Sequence, residues 1–276
     1  MLLRFSKMYG LGADLMVLDL ISQHAYIQPQ DIRGWSDRRQ GVGFLRLLLI
    51  EVPQQPDVDF SCRVFDRNGS EVDWLASDVC AVARLVADKR LISKARMRIE
   101  LRHGVLDVQV HADGSVTLPL VQPELMTDSI VLPQAFLQQY TEASWLLEQR
   151  FSMLSMNGLH AVLRVNNIAQ VPLAELAAHV EQQQSLPRAT TINLLQLQDA
   201  NTLQLAAWRL GHGLVDSFQQ GFCAAALHAH AQGWLQTPMQ VECVSAQARA
   251  RLHASEDQHI YLTGSATRVY EGQIRL

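Results

Sequence analysis

The sequence predicts an α+β fold made of two related halves, and three observations carry that prediction. Apolar and polar residues alternate at period two through much of the chain, the pattern of half-buried strands. Two alanine-rich apolar segments, each holding a cysteine, read as helices and begin about 140 residues apart. Each follows a glycine-containing turn and a short polar approach, "GSEVDWLA" in one half and "GHGLVD" in the other, which is the mark of a duplicated unit.

The strands are clearest in "RMRIELRHGVLDVQV". There Met97, Ile99 and Leu101 fall on one side and Arg96, Arg98, Glu100 and Arg102 on the other. The first helix is expected over "SDVCAVARLVADKRL" with Ser77 as its N-cap, and the second over "SFQQGFCAAALHAHAQGWL" with Ser217 as cap and Gly233 near its stop. Between them, "PLVQPELMTDSIVLP" holds three of the nine prolines and reads as the crossover. The expected domains are therefore 1–120 and 121–262, with residues 263–276 returning to the first.

At 276 residues and 48% hydrophobic content the chain can bury a large core. A net charge of −4 gives no global basic field for nucleic acid, although arginines far outnumber lysines. Cys62, Cys80, Cys223 and Cys243 show no CxxC spacing and are too few for a disulfide framework, which suits a reducing, cytoplasmic setting. Arg4, Lys7 and Asp14 interrupt the apolar start, and no run is long enough to cross a bilayer. His228 and His230 stand two apart and so face different sides of a helix, and "GLG" at residues 10–12 lacks the rest of a dinucleotide fingerprint. Neither a metal nor a cofactor is expected. The outward face of Arg96, Arg98 and Arg102 is either a solvated sheet face or a docking surface for an acidic partner.

A resemblance covers essentially the whole chain. The opening "FSKMYGLGADLMVLD" is similar to FTKMHGLGNDFxVxD of diaminopimelate epimerases. "SDRRQGVGFLRLLLIE", "FDRNGSEVDWLASDVCAVAR" and "LSMNGLHAVL" follow in the family's order. "WRLGHGLVDSFQQGFCAAALHAHAQG" resembles YERGxGETxACGTGACAAxVAxxxxG, and "YLTGSATRVYEGQI" resembles MTGPAxxVYxGxx. The resemblance implies two pseudo-symmetric domains, each a curved, mainly antiparallel sheet around a central helix. It also implies a cofactor-free site between them that serves lysine biosynthesis. In that family two cysteines, one from each half, remove and return the α-proton on opposite faces of carbon, as a thiolate base and a thiol acid must. Gly10, Gly12, Gly41, Gly43, Gly69, Gly264 and Gly272 match scaffold positions.

The chemistry is not kept. The family's cysteines fall on Leu75 and Phe218, neither of which carries a proton. Cys80 and Cys223 lie five residues beyond each, but the flanking motifs place both inside helices. The family's ligand-binding positions fall on Ala13, Arg46, Asp66, Gly158, Thr191, Arg209 and Leu210, with His160 kept. Ala76, Ser77, Gln219 and Gln220 replace residues at the helix starts where the family holds the substrate carboxylate.

The expectation is a noncatalytic relative that works by binding protein. Its partner would be a second copy of the chain or an intact epimerase chain, through a self-complementary surface. The alternative is a cofactor-independent isomerase using carboxylates, with Asp66, Asp73, Asp78 and Asp216 as candidates. A raised pKa in a pocket would favour that alternative.

Overall fold

A computed structural model describes the chain apart from residues 127, 128, 141, 216, 218, 219, 246 and 255–258. Two compact units emerge: Met1–Pro119 with Tyr261–Leu276, and Leu120–Ile260. In chain order the first contains β1 (Leu2–Gly10), β2 (Ala13–Asp19), α1 (Pro29–Ser36), β3 (Arg46–Glu51), β4 (Phe60–Asp66), α2 (Ala76–Asp88), β5 (Arg96–Leu101), β6 (Gly104–Val110) and β7 (Val116–Leu120). The second contains β8 (Glu124–Leu125), β9 (Ile130–Val131), α3 (Gln134–Gln139), β10 (Arg150–Ser155), β11 (Leu159–Arg164), α4 (Leu173–Gln183), β12 (Thr191–Leu197) and β13 (Thr202–Arg209). It continues through β14 (Gly213–Leu214), α5 (Gln220–Ala231), β15 (Met239–Cys243) and β16 (Ala248–Ala254). The chain then returns to the first unit in β17 (Ile260–Gly264) and β18 (Ala266–Arg275).

The duplication is written in the strand pairing. In the first unit β1–β2 is antiparallel, β2–β3 parallel, β3–β4 antiparallel, β4–β5 parallel and β5–β6 antiparallel. The second unit repeats that series through β10–β11, β11–β12, β12–β13, β13–β15 and β15–β16. Parallel neighbours need a crossover. The matching crossovers carry α1 and α4 in one place and α2 and α5 in the other.

Burial explains which residues took these roles. Met97, Ile99 and Leu101 of β5 point inward while Arg96 is exposed, the expected alternation. Ten of the thirteen residues of α2 are buried, and the helix packs on β1, β2, β3, β6 and β18. Nine of the twelve residues of α5 are buried against β10, β11, β12 and β15. Small alanines let the sheet approach each helix closely. A separate core in the first unit joins Phe44, Leu47 and Leu49 to Ile32 and Trp35 of α1. Gly69 is needed in its turn: its φ is +82°, and a Cβ there would lie 2.6 Å from Pro29 Cα.

One helix start differs from expectation. The N-cap of α2 is Leu75, and Ser77 sits inside the first turn. The cause is Asp78, whose carboxylate accepts the Leu75 N–H at 2.8 Å, so the N3 side chain secures the terminus in place of a cap hydroxyl. The described part of α5 opens at Gln220, and the expected cap at Ser217 turns on residues 218 and 219, which lie outside the described residues. Its end is as expected: Gly233 has φ +72°, and Gly233 and Trp234 donate back to His230 and Ala229. Among the described residues no helix is long and apolar enough to cross a membrane.

Candidate functional site

In the first unit the candidate positions gather where β2, β3 and β4 meet the start of α2. The register sets Arg46 between Leu15 and Asp66. The Arg46 guanidinium Nη1 donates to Asp78 Oδ2 at 2.9 Å and to the Asp73 carbonyl at 2.7 Å. Asp78 is 1% exposed. Burial pushes its carboxyl above the usual carboxylate range, while the Arg46 charge and the Leu75 N–H oppose that rise. The gap beside it, lined by Cys62, Val64, Val79, Val82, Ile99 and Leu101, has no room for a water molecule. So the raised carboxyl the alternative required is present, and the pocket is not.

The other positions of this half are inert. Leu75 is buried in an extended conformation, and Ala76 and Ser77 lie buried in the first helical turn. Ser77 Oγ reaches Asp78 Oδ1 only at 3.5 Å. Ala13 is buried in β2 opposite Gly10. Asp66 is a turn residue that accepts the Asn68 and Ser70 N–H groups at 2.9 Å. Asp73 is exposed and meets His103 at 2.8 Å. Burial, then the Asp78 charge, pushes the Cys80 thiol up to about 12. Cys223, also fully buried, is pushed up by burial as well. Both stay protonated thiols at neutral pH.

In the second unit the register aligns His160, Thr191 and Arg209 across β11, β12 and β13. His160 is 7% exposed, and its Nε2 lies 3.2 Å from the Met156 carbonyl. A carbonyl only accepts, so Nε2 carries the proton and Nδ1 is a bare acceptor. Burial holds this imidazole below its usual pKa; the Met156 carbonyl opposes that and the Arg209 charge adds to it. His160 Nδ1 and Asn193 Oδ1 are buried and find no hydrogen-bond partner among the described residues. Both press on Gly221, where a Cβ would lie 2.5 Å from the first and 2.9 Å from the second.

Around this cluster Leu210 is buried and donates its N–H to Thr190, while Arg209 and Gly158 are exposed. Gln220 opens α5. Asp216, Phe218 and Gln219 lie outside the described residues. His228 packs edge-on to Trp234, whereas His230 bonds the Leu235 carbonyl, so the two histidines part as their spacing requires. Among the described residues no group of three His, Cys, Asp or Glu could hold a metal.

Three features lay beyond the sequence pattern. Arg46 had read as a lost ligand position and Asp78 as a candidate carboxylate, and the two turn out to be partners. Lys7, one of only three lysines, is buried and bonds Asp14 at 2.9 Å and the Gly43 carbonyl, with Arg38 on the other Asp14 oxygen. A lysine between Phe5 and Met8 in a mostly apolar strand was the available signal. Asn193 carried none. The arginine face is also occupied: Arg96 and Arg98 approach Asp107, Arg98 also bonds the Asp57 carbonyl, and Arg102 bonds the Glu71 carbonyl.

No protein-family model matches the chain. Full-length relatives do. It is 41% identical over 278 residues to a diaminopimelate epimerase of Azotobacter vinelandii, covering all of both chains. The chain belongs to the diaminopimelate epimerase family. It is also 40% identical over 284 residues to the diaminopimelate epimerase of a Pseudomonas aeruginosa strain, again covering all of both chains. Among solved structures, a phenazine biosynthesis protein of the PhzF family from Enterococcus faecalis matches all of both chains at TM-score 0.72 and 14% identity. A hydroxyproline epimerase from Agrobacterium vitis matches at TM-score 0.68 and 11% identity, over 99% of this chain and 91% of that one. At such identities these two establish the pseudo-symmetric epimerase fold alone.

Proposed function

We propose that this chain is a noncatalytic member of the diaminopimelate epimerase family that acts by binding another protein chain. The observation that carries the reading is Leu75. It stands at the family's first cysteine position, buried at the head of α2, and the nearest thiol along the helix, Cys80, is held protonated. Epimerisation without a cofactor needs a base that can take a proton from carbon and an acid on the opposite face. Leu75 supplies neither, and Phe218 stands at the second position.

The partner we propose is a second copy of the chain, or an intact family chain, meeting it on the β1–β18 face. Along those strands Leu2 is exposed at one end, beside Met1 and Leu276, and Tyr9, Val269 and Tyr270 are exposed towards the other. Within β18 the order Arg268, Val269, Tyr270, Glu271 is self-complementary in charge. Two antiparallel copies related by a two-fold axis would set each Arg268 against the other's Glu271.

The second reading, an isomerase that uses a carboxylate, has its support in the relatives' name and in the raised carboxyl of Asp78. One experiment separates the two. Purified protein is incubated with diaminopimelate in heavy water and the α-carbon deuterium is followed by mass spectrometry. No enzymatic incorporation is expected; incorporation at enzymatic rates would overturn the noncatalytic reading.

A further inference from the structure

The geometry points to a second binding site, away from the helix starts: a cleft at the C-terminal end of α5 that takes a small organic ammonium ion, with Glu148 as its counter-ion. This goes beyond the noncatalytic reading and does not depend on it. The cleft has a volume of about 300 Å³ and opens between β8, β10 and the end of α5, with Glu148 and His228 in its lining. Both are polar groups with nothing to hold. His228 is 7% exposed, and among the described residues neither ring nitrogen has a hydrogen-bond partner; the ring only meets Trp234 edge-on. Glu148 is half-buried and makes neither a hydrogen bond nor an ion pair among the described residues. Polar groups drawn out of water without partners are costly and uncommon. Here two of them line one cleft.

What satisfies both is a donor that carries positive charge. Burial pushes the Glu148 carboxyl above its usual range, with the Arg164 charge opposing that rise in second place, so a cation brought beside it relieves the burial of its charge. The neighbouring arginines are committed elsewhere. Arg164 lies over the Trp234 ring, 4.5 Å from its centre, and Arg150 Nη1 donates to Ser129 Oγ at 3.0 Å. Burial holds His228 below its ordinary pKa, which leaves the ring neutral at pH 7 and able to accept an N–H. The C-terminal end of α5 adds the negative pole of the helix. Beside these groups stand the exposed Leu125 and Met126 and the buried Met153, an adaptable apolar wall suited to a carbon stem. An anion finds no lysine or arginine among the described lining residues, and a wholly apolar ligand leaves Glu148 as bare as before. The occupant is therefore a primary ammonium on an apolar stem.

The test is calorimetric titration of the full chain with phenethylammonium chloride, 2-phenylethanol and sodium phenylacetate, three ligands of similar shape that differ in charge. The ammonium should bind saturably, with a dissociation constant of about 0.1–1 mM for so small a ligand. The alcohol and the carboxylate should bind at least about tenfold more weakly. Glu148→Gln keeps the size of the side chain and removes its charge, so it should weaken the ammonium by roughly ten- to a hundredfold. His228→Phe keeps a ring against Trp234 and removes both nitrogens, and it should weaken the ammonium by a smaller factor. Asp57→Asn, at an exposed carboxylate of the first unit, should change nothing. No saturable ammonium binding, equal binding of all three ligands, or binding unmoved by Glu148→Gln overturns the proposal. Should a variant be recovered unfolded, the ranking of the three ligands on the wild type decides it. None of these outcomes touches the deuterium experiment, so this proposal and the noncatalytic reading fail separately.

Discussion

The two central helices begin in opposite ways although the strands around them pair in the same order. At the start of α2 the chain uses charge: a buried carboxylate, a half-buried guanidinium and the Leu75 N–H satisfy one another. At the start of α5 it uses smallness. Gly221 admits two bare acceptors, His160 Nδ1 and Asn193 Oδ1, against the first described turn of the helix, and neither finds a hydrogen among the described residues. Duplicated backbones thus tolerate unlike solutions at equivalent points, since the fold requires only that the terminus be compensated and leaves the means open.

The sharpest way to break that contrast is Gly221→Ala. With no room for a Cβ between His160 and Asn193, the change should cost about 1–3 kcal/mol, the usual range for overpacking, read from denaturant midpoints. The mirror change, Ser77→Ala in the first turn of α2, should cost no more than about 1 kcal/mol, because the hydroxyl barely reaches Asp78. Equal costs at the two sites would show that the helix starts are not different in kind.

Acidification should separate the halves next. The folded-state pKa of His160 lies below its ordinary value of 6.5 because burial favours the neutral ring. Stability from that histidine is full above pH 6.5 and is lost as pH falls through and below that value. Asp78 runs the other way. Its folded-state pKa is raised, so lowering the pH relieves the burial of its charge. The Tm of the wild type should therefore fall between pH 7 and 5, and His160→Gln should flatten that fall. An unchanged slope in His160→Gln would assign the loss to other groups, His228 first, since burial lowers it too.

The smallest effect on stability is expected at the β1–β18 face. Val269 is 59% exposed, so Val269→Arg should leave Tm within about 1–2 °C, the scale of a neutral surface change. In size exclusion with light scattering the same variant should halve the mass of a self-associated wild type. A wild type that is monomeric at micromolar concentration, alone and with a co-expressed epimerase, would remove this face as the interface.

Sequence pattern reached different depths in different places. The alternation of β5 was legible because one face is solvated and the other buried, and the two helices were legible because apolar residues and alanine make up most of each. The start of α2 was misplaced for a local reason. Serine is the commoner cap, but at α2 the carboxylate three residues into the helix took the Leu75 N–H instead. The site was legible as a set of lost residues and illegible as a set of new partners. Arg46 and Asp78 are 32 positions apart and meet only through tertiary structure. Likewise, His160, Thr191 and Arg209 align only through strand register. Period-two reasoning assigns faces, not neighbours.

The pairing of the first strand with the last has a consequence in time. Leu2 lies opposite Arg275, and Leu276 donates its N–H to the Met1 carbonyl at 2.9 Å. A chain made from its amino end must therefore hold β1 with one edge bare until the whole of the second unit has been synthesised. The second unit is continuous from Leu120 to Ile260 and waits for nothing. The half made first is thus the half finished last, and β1, with Leu3, Phe5 and Met8 along it, is the segment most open to wrong partners while it waits.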